Sequence, residues 1–382
     1  MKTTTLALCL AGAALAAPAL AQSYRVIPLG SLGGQSAAWA FDGVGRVVGV
    51  SADEPKHNRF HAFASDGVTS VDAGILPGTT NAFAFAASGD TLFGMSYSFQ
   101  DLTIRALRWR NGTLDTLGDF APRGANASGT VVGFLQTTVG TLRVEHACRW
   151  AQGTLTDLGT YGGSFSWAYD VADNGWVVGS ATTARDAATH AALWTDTGPH
   201  DLGVLGGSMS QAYAINNNRS VVGWSTTPSG ERHGCFWQLS TSGNVLARAD
   251  LGSLARSSFA YGLNDLGRIV GVSDGRATLW IDNHIIDLNT TIPDGSGWRL
   301  DAATAIDAQG RICGWGNFHG FPQAYLLVCL ADFNADGFVD FFDYDAFVAA
   351  FETGDPAADV NGDGFLDFFD YDAFVGAFET GC

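Results

Sequence analysis

Three short apolar marks return in step seven times between residues 22 and 330, and a repeat of that kind constrains the architecture before any single residue is weighed. The first is a Leu-Gly-x-Leu-Gly-Gly-like segment at 29–34, 74–78, 117–120, 158–163, 202–207, 251–254 and, weakly, 288–292. The second, Val-Val-Gly-like, falls at 47–49, 92–94, 131–133, 177–179, 221–223, 269–271 and 312–314. The third, His-Ala-x-x-Trp-like, falls at 61–63, 105–109, 146–150, 190–194, 233–237, 277–280 and 323–327. Spacings of roughly 37 to 49 residues suit four short strands and their turns, the content of one propeller blade. In the unit 166–203 the strands are expected at 167–171, 176–181, 190–195 and 200–203.

Between the first two strands of most units an Asx residue opens a tight turn that Gly closes, as at 42–45, 126–129, 264–267 and 307–310; the Asx side chain caps the turn and Gly takes positive φ. The fifth unit reads Asn216-Asn217-Asn218-Arg219, so its turn must differ or be strained. The chain opens on a lone strand of the fourth type at 24–30, and the seventh unit, ending near Val328, lacks one. Pairing the two closes the ring and removes the open edges that invite aggregation. The predicted fold of residues 22–330 is therefore an all-β, seven-bladed propeller with four-stranded blades, closed by its N-terminal strand; a linear solenoid needs polar caps at both ends.

Composition agrees. The chain is 46% hydrophobic and 15% charged, against about 25% charged in an ordinary soluble domain, so it is no disordered acidic protein. Its 49 glycines in 382 residues suit many tight turns. With Lys plus Arg at 20 and a net charge of −18, no basic excess exists to neutralise phosphates, which excludes a nucleic-acid partner.

Residues 1–21 read as a secretory signal peptide: Lys2, an Ala/Leu run from Leu6 to Leu20, and an Ala19-Leu20-Ala21 cleavage site before Gln22. The run is short of the roughly 20 apolar residues that span a bilayer, and no later segment qualifies, so no transmembrane segment is expected. Export leaves Cys148, Cys235, Cys313, Cys329 and Cys382 free to oxidise, but an odd number cannot all pair within one chain.

The recurring Trp109, Trp150, Trp194, Trp237 and Trp280 are expected between blades rather than as a sugar platform. His61, His146, His190 and His233 open the third strand of separate units and are read as structural. With His61-Ala62-Phe63 and its Asp-Leu-Gly-x-Leu-Gly-Gly and Val-Val-Gly-x-Ser partners, the repeat resembles the extracellular HAF repeat over most of residues 22–330. That resemblance implies export and supplies no chemistry.

From Asp332 the composition changes: residues 331–382 hold 13 Asp plus Glu and no Lys or Arg, a density that repels itself unless a cation offsets it. Asp332, Asn334, Asp336, Asp340 and Asp343 stand at positions 1, 3, 5, 9 and 12 of a loop with Gly337 at 6 and the Phe338 carbonyl at 7, the ligand pattern of an EF-hand Ca²⁺ loop. Asp359, Asn361, Asp363, Asp367 and Asp370, with Gly364 and the Phe365 carbonyl, repeat it 27 residues later. All are hard oxygens, which suits two Ca²⁺ ions and argues against Zn²⁺ or Cu²⁺. Position 12 is Asp where the ordinary loop has Glu.

An amphipathic helix is expected after each loop, at 341–351 and 368–378, with residues 341, 344, 347, 348 and 351 on one face. No entering helix precedes either loop. A duplicated Ca²⁺ loop with its exiting helix resembles a type I dockerin, and most of all the subtype that ends in Gly-Cys, as Gly381-Cys382 does here. The resemblance implies a small all-α domain over 331–382 that docks onto a cohesin-like or cell-surface partner, with loop positions 10 and 11, here Phe341, Phe342, Phe368 and Phe369, helping to choose it. These are apolar where Ser/Thr is often found, and one Phe of each pair is open to a core role. Cys329 and Cys382 bracket the module, and a disulfide between them would clasp its ends.

The favoured function is a secreted, non-catalytic binding or scaffold protein, its propeller open to a carbohydrate or protein ligand. A polysaccharide-active hydrolase or lyase is the alternative, though the sequence holds no Gly-x-Ser-x-Gly elbow, no His-Glu-x-x-His and no recurring acidic pair. A structural surface-layer protein is the third.

Overall fold

The computed structural model describes residues 24–54, 59–98, 103–140, 142–334, 336, 338–362 and 364–380, so the signal peptide expected at residues 1–21 lies outside the described residues. Seven four-stranded antiparallel sheets follow one another along the chain. Their first strands contact one another in sequence around the ring and form its inner wall. The seventh sheet takes its fourth strand from the other end of the chain: Tyr24–Pro28 pairs with Phe321–Cys329, in register from Tyr24 opposite Cys329 to Pro28 opposite Tyr325. The ring is a closed seven-bladed propeller, as the missing strand of the seventh unit predicted.

The glycine of the Val-Val-Gly mark has a steric cause. In every blade the first strand shifts register by one residue near its middle. That bulge drives a first-strand carbonyl against the second strand, and a Cβ on Gly179 would lie 1.9 Å from the Trp167 carbonyl oxygen. The equivalent glycine of the other blades meets the same obstruction.

Serines tie blade to blade. Ser166 Oγ donates to Gly159 O at 2.8 Å and accepts from Ala147 N at 2.8 Å; Ser210 repeats this with Gly203 and Ala191. Ser36 does so across the closure, accepting from Ala324 N of the seventh blade. The tryptophans pack as expected: Trp237 is wholly buried and donates to Leu202 O of the preceding blade at 3.0 Å, as Trp280 does to Leu251 O at 2.9 Å. The histidines take one role, Nδ1 meeting an aspartate of the fourth strand at 2.8 Å for His61–Asp72 and His146–Asp157 and at 2.7 Å for His190–Asp201.

The fifth turn is the same turn as the others. Arg219 N donates to Asn216 O at 3.1 Å, as Gly129 N does to Asn126 O at 3.0 Å. Arg219 therefore sits at φ +63°, where an L side chain is strained. Arg219→Gly is expected to raise stability by about 0.5–1 kcal/mol, read as a higher urea midpoint at unchanged slope; an unchanged or lower midpoint refutes the strain.

After Cys329 come two helices, α1 (Phe341–Thr353) and α2 (Phe368–Thr380). Residues 27 apart make reciprocal contacts: Phe347 stacks on Phe374 at 4.1 Å and 9°, the Tyr344 and Tyr371 hydroxyls meet at 2.7 Å, and Phe351–Tyr371 mirrors Tyr344–Phe378. The halves are thus related by a pseudo-twofold axis. The expected apolar face holds at Tyr344, Phe347, Val348 and Phe351, but Phe341 leaves it. It stands in the first turn behind the Asp340 cap, stacks on Tyr344 of its own helix, and is exposed.

Candidate functional site

Two places in the fold bring chemistry together, the acidic loops before the helices and the channel of the propeller. In the first loop Asp343 is wholly buried, and its two carboxylate oxygens accept from Asn334 N at 3.0 Å and Asp340 N at 2.9 Å. Asp370 repeats this with Asn361 N at 3.2 Å and Asp367 N at 3.0 Å. Asp340 and Asp367 cap the helices through Phe342 N and Phe369 N, both at 2.8 Å. Asp336 accepts from Phe338 N at 2.9 Å, and Asp359 accepts from Gly362 N and Gly364 N. Asp332 is buried; Asp363 lies outside the described residues.

Among the described residues no three His, Cys, Asp or Glu side chains gather closely enough to hold a metal. The donor set nonetheless fits a hard cation. Asp332, Asp343 and Asp370 are buried carboxylates in a module without Lys or Arg, and a carboxylate oxygen that accepts one amide keeps a second lone pair for a ligand bond.

The four phenylalanines at loop positions 10 and 11 are all on the surface. Phe341, Phe342, Phe368 and Phe369 are between 68 and 71% exposed, so neither member of either pair is core. The core place is taken by Phe347 and Phe374, one and a half turns further along, where the two helices meet. Cys329 is disulfide-bonded; its expected partner Cys382 lies outside the described residues. Cys148, Cys235 and Cys313 are free and buried, and burial pushes the Cys148 and Cys313 thiols up to about 12.

The channel was not legible in the three repeat marks. Each first-strand bulge leaves one residue out of register, and these seven, Trp39, Phe85, Arg123, Tyr169, Tyr213, Tyr261 and Thr304, line one central cavity of about 640 Å³. The usable signal is a side chain between small residues, as in Ala38-Trp39-Ala40, Ala84-Phe85-Ala86 and Ala212-Tyr213-Ala214. Tyr213 packs against Tyr169 at 5.3 Å and Tyr261 at 5.4 Å. Arg123 lies over the Phe85 ring, 4.5 Å from its centroid, and 5.5 Å from that of Phe134, and loss of water lowers its pKa. Among the described residues lining this cavity Asp170 is the one carboxylate. Its oxygens accept from Val171 N at 2.8 Å and Ile215 N at 2.9 Å, and burial pushes its pKa up to about 6.

No protein-family profile matches the chain, and no curated protein matches it. Solved structures similar to it include the β-propeller domain of the Trilobed protease from Pyrococcus furiosus, at 10% identity over 76% of this chain and 95% of that one with a TM-score of 0.47. The Pyrococcus horikoshii acylaminoacyl peptidase is 14% identical over 76% of this chain and 51% of its own, TM-score 0.45. TolB from Acinetobacter baumannii is 12% identical over 66% of this chain, TM-score 0.44, and this chain spans 63% of its length. At such identities the likeness is one of fold and carries no activity across.

Proposed function

We propose that this chain is an exported, non-catalytic binding protein, anchored through a dockerin-like C-terminal module that two Ca²⁺ ions organise. The observation that carries the reading is the symmetric display of Phe341, Phe342, Phe368 and Phe369, about 70% exposed at the starts of two helices in an otherwise compact small module. Large apolar side chains held in water beside a packed aromatic core mark an interaction surface. Their equivalence under the pseudo-twofold offers a partner either of two faces. A cohesin-like domain is the partner class, and the Ca²⁺ loops set the phenylalanines by fixing the first turn of each helix.

The test is binding of the full chain to a panel of cohesin-like domains, with and without chelator. Ca²⁺-dependent binding is expected, weakened only about twofold by Phe341→Ala with Phe342→Ala because the equivalent face remains, and lost when Phe368→Ala and Phe369→Ala are added, since a single aromatic anchor contributes about 2 kcal/mol or more. Binding indifferent to both chelator and the fourfold variant refutes the reading. Glycoside hydrolysis in the channel has less support: its usual machinery is a pair of carboxylates, and Asp170 is the one carboxylate among the described lining residues.

A further inference from the structure

The propeller channel has the makings of a ligand site independent of the C-terminal helices. We infer that it binds a carboxylate-bearing pyranose, a hexuronate unit of an acidic saccharide, with the tyrosine row as its platform and Arg123 as its carboxylate anchor. The inference rests on the reading of the propeller as a binding body.

An aromatic-walled cavity by itself favours a cation over the rings or the flat apolar face of a sugar. Arg123 reverses the first choice, because a fixed guanidinium repels a second cation. Its face is taken up by Phe85 and Phe134, while its N–H donors, which lie in the guanidinium plane, make no hydrogen bond or ion pair among the described residues. The carboxylate whose field it feels is Glu145, which accepts from Trp167 Nε1 at 2.7 Å. Asp170 is occupied by two backbone amides. A desolvated, unpaired guanidinium fits a planar carboxylate bidentately, and about 640 Å³ is room of the usual size for a small ligand.

Two features favour a sugar acid over an aryl acid. Trp39 Nε1 is buried in the channel wall with no acceptor, a donor suited to a ring hydroxyl. The channel also runs into a polar recess of about 340 Å³ that shares Asp170 with it and is rimmed by Asn126, Asn216 and Asn264, where the next hydroxylated ring of an oligosaccharide can sit. An aryl carboxylate uses neither.

The test is calorimetric titration of the full chain with trigalacturonate, maltotriose and 4-hydroxybenzoate. Trigalacturonate is expected to bind at least about tenfold tighter than maltotriose, and Arg123→Gln is expected to remove that preference while leaving maltotriose unchanged, since a charge-assisted pair is lost. Tyr213→Ala is expected to weaken both saccharides. Arg123→Lys keeps the charge without the fork and is expected to recover part of the preference, which separates anchoring from a folding defect. Equal affinity for the two saccharides, binding of 4-hydroxybenzoate alone, or no binding of any probe overturns the assignment. Because none of these substitutions touches the C-terminal phenylalanines, docking through them survives such a failure, and its own failure leaves this result standing.

Discussion

Tyr24→Ala is expected to destabilise the propeller by about 3–5 kcal/mol, the usual effect of truncating a wholly buried aromatic side chain. That is a large share of the about 5–15 kcal/mol by which a folded domain exceeds its unfolded chain. Tyr24 packs with Leu300, Ile312, Tyr325 and Leu327 of the seventh blade, so its loss strikes the seam where the N-terminal strand meets the last strand of the ring. The exposed edge that follows is a template for pairing between chains, and the variant is expected to aggregate on heating. Tyr24→Phe is the control. The Tyr24 hydroxyl is buried without a hydrogen-bond partner, so its removal is expected to be neutral or to stabilise by about 1 kcal/mol. If Tyr24→Ala melts with the unmodified protein in a thermal scan, the N-terminal strand is not what closes the ring.

Chelation is expected to unfold residues 331–382 and leave the propeller folded. With 13 acidic residues and no basic one, the module carries its own repulsion, and a core of its size seldom supplies more than about 3–5 kcal/mol. Metal binding to such a small domain is folding free energy. In the full chain, EDTA is therefore expected to abolish most of the helical far-ultraviolet signal, since the long helices among the described residues are α1 and α2, while the thermal transition of the sheets stays in place. Phe374→Ala removes half of the central stack and is expected to give the same loss even with Ca²⁺ present, marking what an unfolded module looks like. A helical signal unmoved by EDTA but lost in Phe374→Ala means that the module folds without metal.

The ring was legible because its marks answer to local causes repeated seven times. Gly179 and its equivalents recur since a carbonyl of the neighbouring strand leaves no room for Cβ, and Trp109, Trp194, Trp237 and Trp280 recur since each packs with apolar residues of the blade before it. The histidines showed their structural place without their partner: His190 and Asp201 are 11 residues apart and meet only when the third and fourth strands pair. The channel escaped because its seven lining positions hold Trp, Phe, Arg, Tyr and Thr; what they share is a bulge, and a bulge repeats as geometry rather than as residue type.

Residue order alone determined the number of blades, the strand that closes them and the two loops of hard oxygens, because each rests on periodic or short-range chemistry written along the chain. Only the tertiary structure decided that Arg123 lies unpaired over Phe85 inside a tyrosine-lined channel, and that Phe341 and Phe342 stay in water while Phe347 fills the core. Both depend on which neighbour occupies the space opposite. For Arg123 that neighbour comes from the blade before, and for the phenylalanines from a helix 27 residues away, distances at which a one-dimensional pattern carries no record of who meets whom.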